Sequence, residues 1–259
     1  MKKESVVAKK KFGQNFLKDQ TVLQKIVQAM PKNDNKIVEI GPGLGDLTKY
    51  LVDVKSVEAF EVDTDLCKLL QSEFKEEITT KRLHIHCGDV LQAWKSTLVD
   101  EAYDLVANLP YYIATNIILK ALADPMCKNI LVMVQLEVAE KFCADVGQKV
   151  FGSLGIITQS LGNAHIVVKV PPTAFEPPPK IDSAVFLITK NKDRTEKDFE
   201  DMLRVAFSQP RKTLMKNLSS KYEKSELLIA FDSLELIQTL RPHQVSTDDY
   251  HQLYKKIKI

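Results

Sequence analysis

Nothing in the 259 residues is apolar for long enough to cross a membrane: the longest such stretch, Ile130 to Val134, is ended by Gln135 and Glu137, far short of the ~20 residues a span needs. The opening Met1-Lys2-Lys3-Glu4 has no apolar run behind it, and its basic residues are lysines with an acid among them. No signal or transit peptide is expected from such a start. Cysteine is scarce. Cys67, Cys87, Cys127 and Cys143 form no C-x-x-C pair, and a chain this large does not depend on staples, so all four are expected to be reduced. Net charge is nearly absent: 36 basic against 34 acidic residues leave a formal +2, and composition by itself announces no nucleic-acid partner. Any such role must rest on local patches. There is no internal repeat and no low-complexity tract. These absences together point to a cytoplasmic protein with no membrane partner.

What is present is the balance of a folded protein, with 44% hydrophobic and 27% charged residues. The length accommodates a full sheet domain and a smaller unit. Apolar runs alternate with helical segments, the signature of a parallel sheet with crossover helices. The candidate strands are Lys36–Ile40, Ser56–Val62, Leu83–Cys87, Tyr103–Ala107, Ile130–Val134, Ala164–Val170 and Ala184–Lys190. Several are continuous apolar runs, as expected where helices cover both faces of a sheet. Between the last two lies a loop with Pro171, Pro172, Pro177, Pro178 and Pro179, which is too stiff and donor-poor to be helical. After Lys190 the strand pattern gives way to mixed charge and then to helical periodicity, placing a domain boundary there. Thr195 to Asp198 reads as a capping box that starts a helix near residue 196.

Glu39-Ile-Gly-Pro-Gly-Leu-Gly45 follows the first strand and opens a helix near Asp46. A dinucleotide loop reads G-x-G-x-x-G, its helix N-terminus meeting a pyrophosphate. Here the third glycine falls one residue early. Gly41, Gly43 and Gly45 let the backbone approach a nucleoside and an amino-acid moiety without forming a phosphate cradle, which suits S-adenosyl-L-methionine better than NAD; the bland alternative is an ordinary glycine turn. Glu61 ends the second strand, placed to accept both hydroxyls of a ribose, and Asp89 ends the third, placed to accept from an adenine amine. Either acid alone reads equally as a solvated loop residue or a helix cap.

Asn108-Leu109-Pro110-Tyr111 ends the fourth strand. An adenine N6 lone pair is delocalised into its ring, so methylation requires that nitrogen to pyramidalise. The Asn108 side-chain oxygen and the Leu109 carbonyl can accept the amine hydrogens while Tyr111 stacks on the base. A strong general base is unnecessary, because the proton becomes acidic only after transfer.

Seven ordered motifs now stand in the chain: Lys11-Phe-Gly-Gln-Asn-Phe-Leu17, Glu39 to Gly45, Glu61-Val-Asp63, Gly88-Asp89-Val90, Asn108 to Tyr111, Phe175-Glu-Pro-Pro-Pro-Lys-Ile-Asp-Ser-Ala-Val185, and Ala206-Phe207 with Arg211-Lys-Thr-Leu214. In these the chain resembles the small-subunit ribosomal RNA adenine N6-dimethyltransferases, the kasugamycin-sensitivity family, over nearly its whole length. The resemblance implies an α/β fold: a seven-stranded Rossmann-like class I methyltransferase sheet in residues 1–190, and a small all-helical, RNA-docking domain in residues 191–259. It implies cofactor contacts from Asn15, Leu17, Gly41, Glu61, Asp89 and Asn108, and Phe175 as a second aromatic at the target base. The implied reaction is two methyl transfers to each of two adjacent adenosines near the 3′ end of small-subunit RNA, with an immature ribosomal subunit as partner and a monomeric enzyme. Pro210 stands where the family usually has arginine; it can occupy the first turn of the next helix.

Lys10 and Lys11 precede Asn15 and are placed to touch RNA phosphates at the site's mouth, unless they are a solvated terminus. Arg211, Lys212 and Lys216 are expected on one helical face, suited to an RNA backbone. His84 and His86 have a strand spacing compatible with a metal, but no carboxylate or cysteine pair in the sequence completes a site, and no metal is expected. The lone Trp94 reads as core. Rival readings are a large-subunit adenine methylase of the macrolide-resistance type, a noncatalytic assembly protein on the same scaffold, and a small-molecule methyltransferase, which would not need the basic tail.

Overall fold

The computed structural model describes residues 14–193 and 195–257; Lys10 and Lys11 lie outside them. Strands β1 (Phe16–Leu17), β2 (Lys36–Ile40), β3 (Val57–Glu61), β4 (Leu83–Cys87), β5 (Tyr103–Asn108), β6 (Cys127–Gln135), β7 (Gly162–Val170), β8 (Phe175–Glu176) and β9 (Ser183–Lys190) alternate with helices. These are α1 (Gln20–Ala29), α2 (Thr48–Val54), α3 (Thr64–Glu73), α4 (Lys75–Thr79), α5 (Val90–Ala93), α6 (Ala114–Ala123), α7 (Leu136–Phe142), α8 (Ser153–Leu161), α9 (Lys197–Ala206), α10 (Leu214–Leu218), α11 (Lys224–Ser233) and α12 (Thr247–Ile257). Seven strands form one sheet in the order β4-β3-β2-β5-β6-β9-β7, and β1 pairs with β8 in a separate two-stranded ribbon.

The sheet is parallel from β4 to β6. β9 then runs antiparallel to β6, with Met133 opposite Val185. Burial follows composition: all but the last residue of β5 and all but two of β6 are buried, the pattern of strands roofed on both faces. The seven strands lie where the apolar runs predict, each within three residues at either end. The helix after the glycine loop begins at Thr48, two residues later than expected. Gly45 explains the tight entry. Its φ is +79°, and a Cβ there would sit 2.6 Å from the Phe74 ring, so only glycine passes between the loop and α3 without strain.

The proline loop corrects one expectation, because Pro172–Ala174 close a single 3-10 turn before β8. The expected cap of α9 is also different. Glu196 occupies the N-cap without a side-chain bond, and the Thr195 hydroxyl donates to Glu200 instead.

The described chain divides into two compact units. One takes the residues up to Ala139 with Ala164–Asp193; the other takes Glu140–Asn163 with the residues after 194. The expected boundary at Lys190 lies near the second division, but Glu140–Asn163 groups with the helical tail. The physical reason is packing within that second unit: α8 lies against α9 and α12, and Ser160 Oγ is 2.7 Å from His251 Nε2.

The cysteines are not all reduced. Cys67 on α3 and Cys87 at the end of β4 form a disulfide, their Cα atoms 6.1 Å apart. Packing of α3 on β4 joins them, a proximity that no C-x-x-C spacing announces. Cys127 and Cys143 are free, and burial pushes both thiols up to about 12.

Candidate active site

Strand order reverses direction between β2 and β5, and the carboxyl ends of strands beside such a switch point are where open α/β sheets hold ligands. A cavity opens there, lined by residues following β2, β3, β4 and β5 and by the segment around β1. Gly43, with φ +61°, anchors its floor: a Cβ would stand 3.1 Å from the Phe16 ring, while its N–H donates to Glu61 Oε2 at 3.2 Å. The other Glu61 oxygen accepts from Asp63 N–H at 2.9 Å. Glu61 is thus oriented by backbone donors, and burial holds its carboxyl above the usual range. Asp89 lines the same cavity and caps α5, accepting from Leu91 N–H at 2.9 Å. The cap reading of Asp89 holds, and the same side chain faces the cavity.

Asn108 is fixed by an interaction that settles its orientation. Its Nδ2 donates to the Asn15 carbonyl at 3.2 Å, and since a carbonyl only accepts, Oδ1 remains as the acceptor. Leu109, 1% exposed, extends the ladder by donating its N–H to the Met133 carbonyl at 3.1 Å. The Tyr111 hydroxyl is 2.7 Å from Ser183 Oγ on β9, so the ring is held at its far end while lining the cavity. Asn15, Leu17, Gly41, Glu61, Asp89, Asn108, Leu109 and Tyr111 all line one space.

Its charged lining residues are all acids, although Asp46 is paired with Lys18 Nζ at 2.7 Å. Glu39, Asp46, Glu61 and Asp89 line it, and no lysine, arginine or histidine joins them among the described residues. Glu39 is 1% exposed and accepts from Thr48 Oγ1 at 2.7 Å; burial pushes its carboxyl up to about 8. Such a wall offers a pyrophosphate no cation and leaves the Glu61 and Asp89 carboxyls as acceptors. It fits a ligand bearing both an ammonium and a sulfonium, which S-adenosylmethionine is. Glu39 was visible in the motif but carried no role there, because only burial distinguishes it from an ordinary strand-end acid. Gln14, whose Nε2 donates to Asp63 Oδ2 at 3.2 Å, and Tyr112 line the cavity too and were likewise not singled out.

Residues 6–258 match the model of the family described as ribosomal RNA adenine dimethylase. The chain belongs to that family. A relative in Sulfurimonas denitrificans, named ribosomal RNA small subunit methyltransferase A, is 79% identical over 97% of this chain and 94% of its own length. One of the same name in Aliarcobacter butzleri is 51% identical, covering 98% of each. Among solved structures, a dimethyladenosine transferase from Plasmodium falciparum superposes with TM-score 0.81 at 26% identity, over 94% of this chain and 98% of that one. The 23S rRNA methyltransferase ErmE gives 0.74 at 25%, over 95% and 100%. The dimethylase sheet is therefore a class I methyltransferase sheet with a helical C-terminal portion.

Four expectations about this dimethylase need correcting. Phe175 is not brought to the cavity. Its ring, 5% exposed, packs in the main core with Leu17, Val170 and Ala174, because β8 pairs it with Leu17 on β1. Arg211, Lys212 and Lys216 are all exposed but do not share one helical face. Pro210 lies not in a helix's first turn but in the turn that also carries Arg211 and Lys212, and only Lys216 is in α10. The buried Asn217 side chain holds that turn, donating to the Ala206 and Gln209 carbonyls at 2.6 and 3.1 Å. Finally, a carboxylate does stand beside the paired histidines: Glu58 on β3 lies 2.7 Å from His86 Nε2 and 3.4 Å from His84 Nδ1. The His86 hydrogen bond holds the Glu58 carboxyl below its usual range. Among the described residues no His, Cys, Asp and Glu group has the makings of a metal site. Trp94 is buried, donating from Nε1 to Asp124 Oδ2 at 3.0 Å.

Proposed function

We propose that the cavity holds S-adenosylmethionine with its ribose on Glu61 and its adenine on Asp89, and presents adenine N6 of small-subunit ribosomal RNA to Asn108. The chain is an S-adenosylmethionine-dependent ribosomal RNA adenine dimethyltransferase, and the cofactor supplies an electrophilic methyl group. The observation that carries the assignment of parts is the acid-lined, base-free cavity closed on one side by an amide whose nitrogen is already engaged.

From there each residue has a task. Asn108 Oδ1 and the Leu109 carbonyl accept the two N6 hydrogens, which turns the nitrogen lone pair out of the purine plane. The Tyr111 ring, tethered through Ser183, stacks on the base and fixes its distance. Asn15 holds Asn108 through its carbonyl, and Leu17 and Gly41 shape the wall. Phe175 supports β1 from beneath rather than touching the base. The exposed Arg211, Lys212 and Lys216, with Lys10 and Lys11, contact RNA phosphates, which position RNA without reading its sequence. The targets are two adjacent adenosines near the 3′ end, methylated twice each, on an immature subunit in the cytoplasm by a monomer. The helical second unit, residues 140–163 with those after 194, docks the RNA.

Labelled cofactor offered to immature small subunits and to naked large-subunit RNA, with the modified nucleotides mapped, tests this. Label at two neighbouring adenosines of the small subunit is expected. Label confined to large-subunit RNA, or to small molecules, would refute it.

A further inference from the structure

The bond between Cys67 and Cys87 is not needed to hold its two elements together. Helix α3 is already anchored by the buried Leu66, Leu69 and Leu70, and β4 by its parallel register with β3, in which Cys87 stands opposite Glu61. What the bond adds is a tie at the wall of the cofactor cavity. Leu66, next to Cys67, and Gly88 and Asp89, next to Cys87, all line that space. Cys67 Sγ lies 3.5 Å from the Glu61 carbonyl oxygen, and the same oxygen accepts from Gly88 N–H at 2.8 Å. The two sulfurs thus flank the backbone of the residue assigned to the ribose, and Cys87 leads directly into the turn that carries the residue assigned to the adenine.

The sulfurs differ in access. Cys67 is buried and Cys87 is exposed, so one can meet a partner in solution while the other waits beside it, the arrangement of an exchangeable pair. A chain of this size does not depend on disulfides, and in a reducing compartment such bonds are transient, catalytic or redox-sensing. We propose that Cys67 and Cys87 are a reversible redox modification site that sets cofactor affinity. This rests on the assignment of Glu61 and Asp89 to the cofactor's ribose and adenine. The oxidant is a small-molecule disulfide of the glutathione class. The Cys87 thiolate attacks it, forming a mixed disulfide and releasing one thiolate; the Cys67 thiolate then attacks the Cys87 sulfur and displaces the second. Two protein thiols become one disulfide, one small disulfide becomes two thiols, and the two protons pass from the cysteines to the released thiolates. An excess of dithiol runs the exchange backward. In the oxidised form Gly88 and Asp89 are tied to α3 before the cofactor arrives. In the reduced form the Cys67 thiol still has the Glu61 carbonyl as acceptor, but the turn after Cys87 loses its tie, and binding must order it.

The test equilibrates the full chain in buffers of graded glutathione disulfide to glutathione ratio, traps free thiols by alkylation and maps them by mass spectrometry. S-adenosylhomocysteine is then titrated calorimetrically into the oxidised and reduced forms of wild type, Cys87→Ser and Cys143→Ser. The Cys67–Cys87 bond is expected to open and close reversibly in the folded protein, and the reduced form to bind about fivefold more weakly. Cys87→Ser should match reduced wild type in every buffer, in affinity and in melting temperature, because it changes one exposed sulfur. Cys143→Ser should respond as wild type does. Cysteines that stay as thiols in excess glutathione disulfide overturn the proposal, as does a bond that survives excess dithiothreitol without unfolding. Equal affinity in the two forms also overturns it, and so does a redox response that persists in Cys87→Ser, which would place the effect on another cysteine. A pair that opens and closes while neither form binds S-adenosylhomocysteine sinks the cofactor assignment instead, a result distinct from the other four.

Discussion

Replacing Glu39 with glutamine should change how the protein's stability depends on pH. The carboxyl is fully buried, and burial raises it from the ordinary 4.5 to about 8. A raised carboxyl means the folded state retains a proton that the unfolded chain gives up. Stability is therefore intact below about pH 4.5, falls as pH rises, and levels off once pH passes about 8. At ~1.36 kcal/mol per decade, the loss between pH 5 and pH 9 comes to about 4 kcal/mol. Glutamine is neutral throughout and still accepts the bond that Thr48 Oγ1 gives Glu39 at 2.7 Å. Urea unfolding of wild type and Glu39→Gln at intervals across that range should show the variant gaining on the wild type by this amount as pH increases. A difference between them that stays constant with pH would refute the reasoning. The same group gives a second reading: a cationic cofactor beside Glu39 favours its ionised form, so binding near neutral pH should release protons in the wild type and fewer in Glu39→Gln, measurable by calorimetry in buffers of different ionisation enthalpy.

Asn108→Ala removes an acceptor needed only as N6 pyramidalises, so methyl incorporation should fall at least ~100-fold while S-adenosylhomocysteine binding largely survives; incorporation near the original rate would sink the role. Arg211→Ala should weaken RNA binding and reduce the slope of log affinity against log salt by about one, and an unchanged slope would count against a phosphate contact. Gly45→Ala forces a positive φ of +79° on a residue with a Cβ and places that Cβ 2.6 Å from Phe74; a loss of about 3 kcal/mol in denaturant unfolding is expected, and a neutral result would mean that α3 gives way freely.

Much of the sheet was legible in advance because β5 and β6 carry uninterrupted apolar runs, Leu105–Ala107 and Ile130–Val134, and such runs have few other ways to be buried. The shared cavity of the glycine loop, Glu61, Asp89 and Asn108 was legible for a related reason: each ends or closely follows a strand, so a correct strand places it. What escaped notice depends on packing across long separations. The family resemblance places Phe175 at the target base, yet the residue is claimed by a two-residue pairing with β1. The basic residues were assigned to one helix face, but the backbone around Pro210 turns, and the Asn217 side chain that stabilises this turn sits inconspicuously in a helix. Cys67 and Cys87 belong to different elements, and Glu39 needed its burial to be known before its chemistry could be read.

The pairing of Leu17 with Phe175 also has a temporal side. During synthesis the acid-bearing strands emerge early, but the short N-terminal wall that carries Asn15 stays without its ribbon partner until position 175 has been translated, and Tyr111 likewise waits for Ser183. A nascent polypeptide therefore begins to emerge from the translating ribosome with an unfinished pocket, which can be completed only when more than two-thirds of the message has been read.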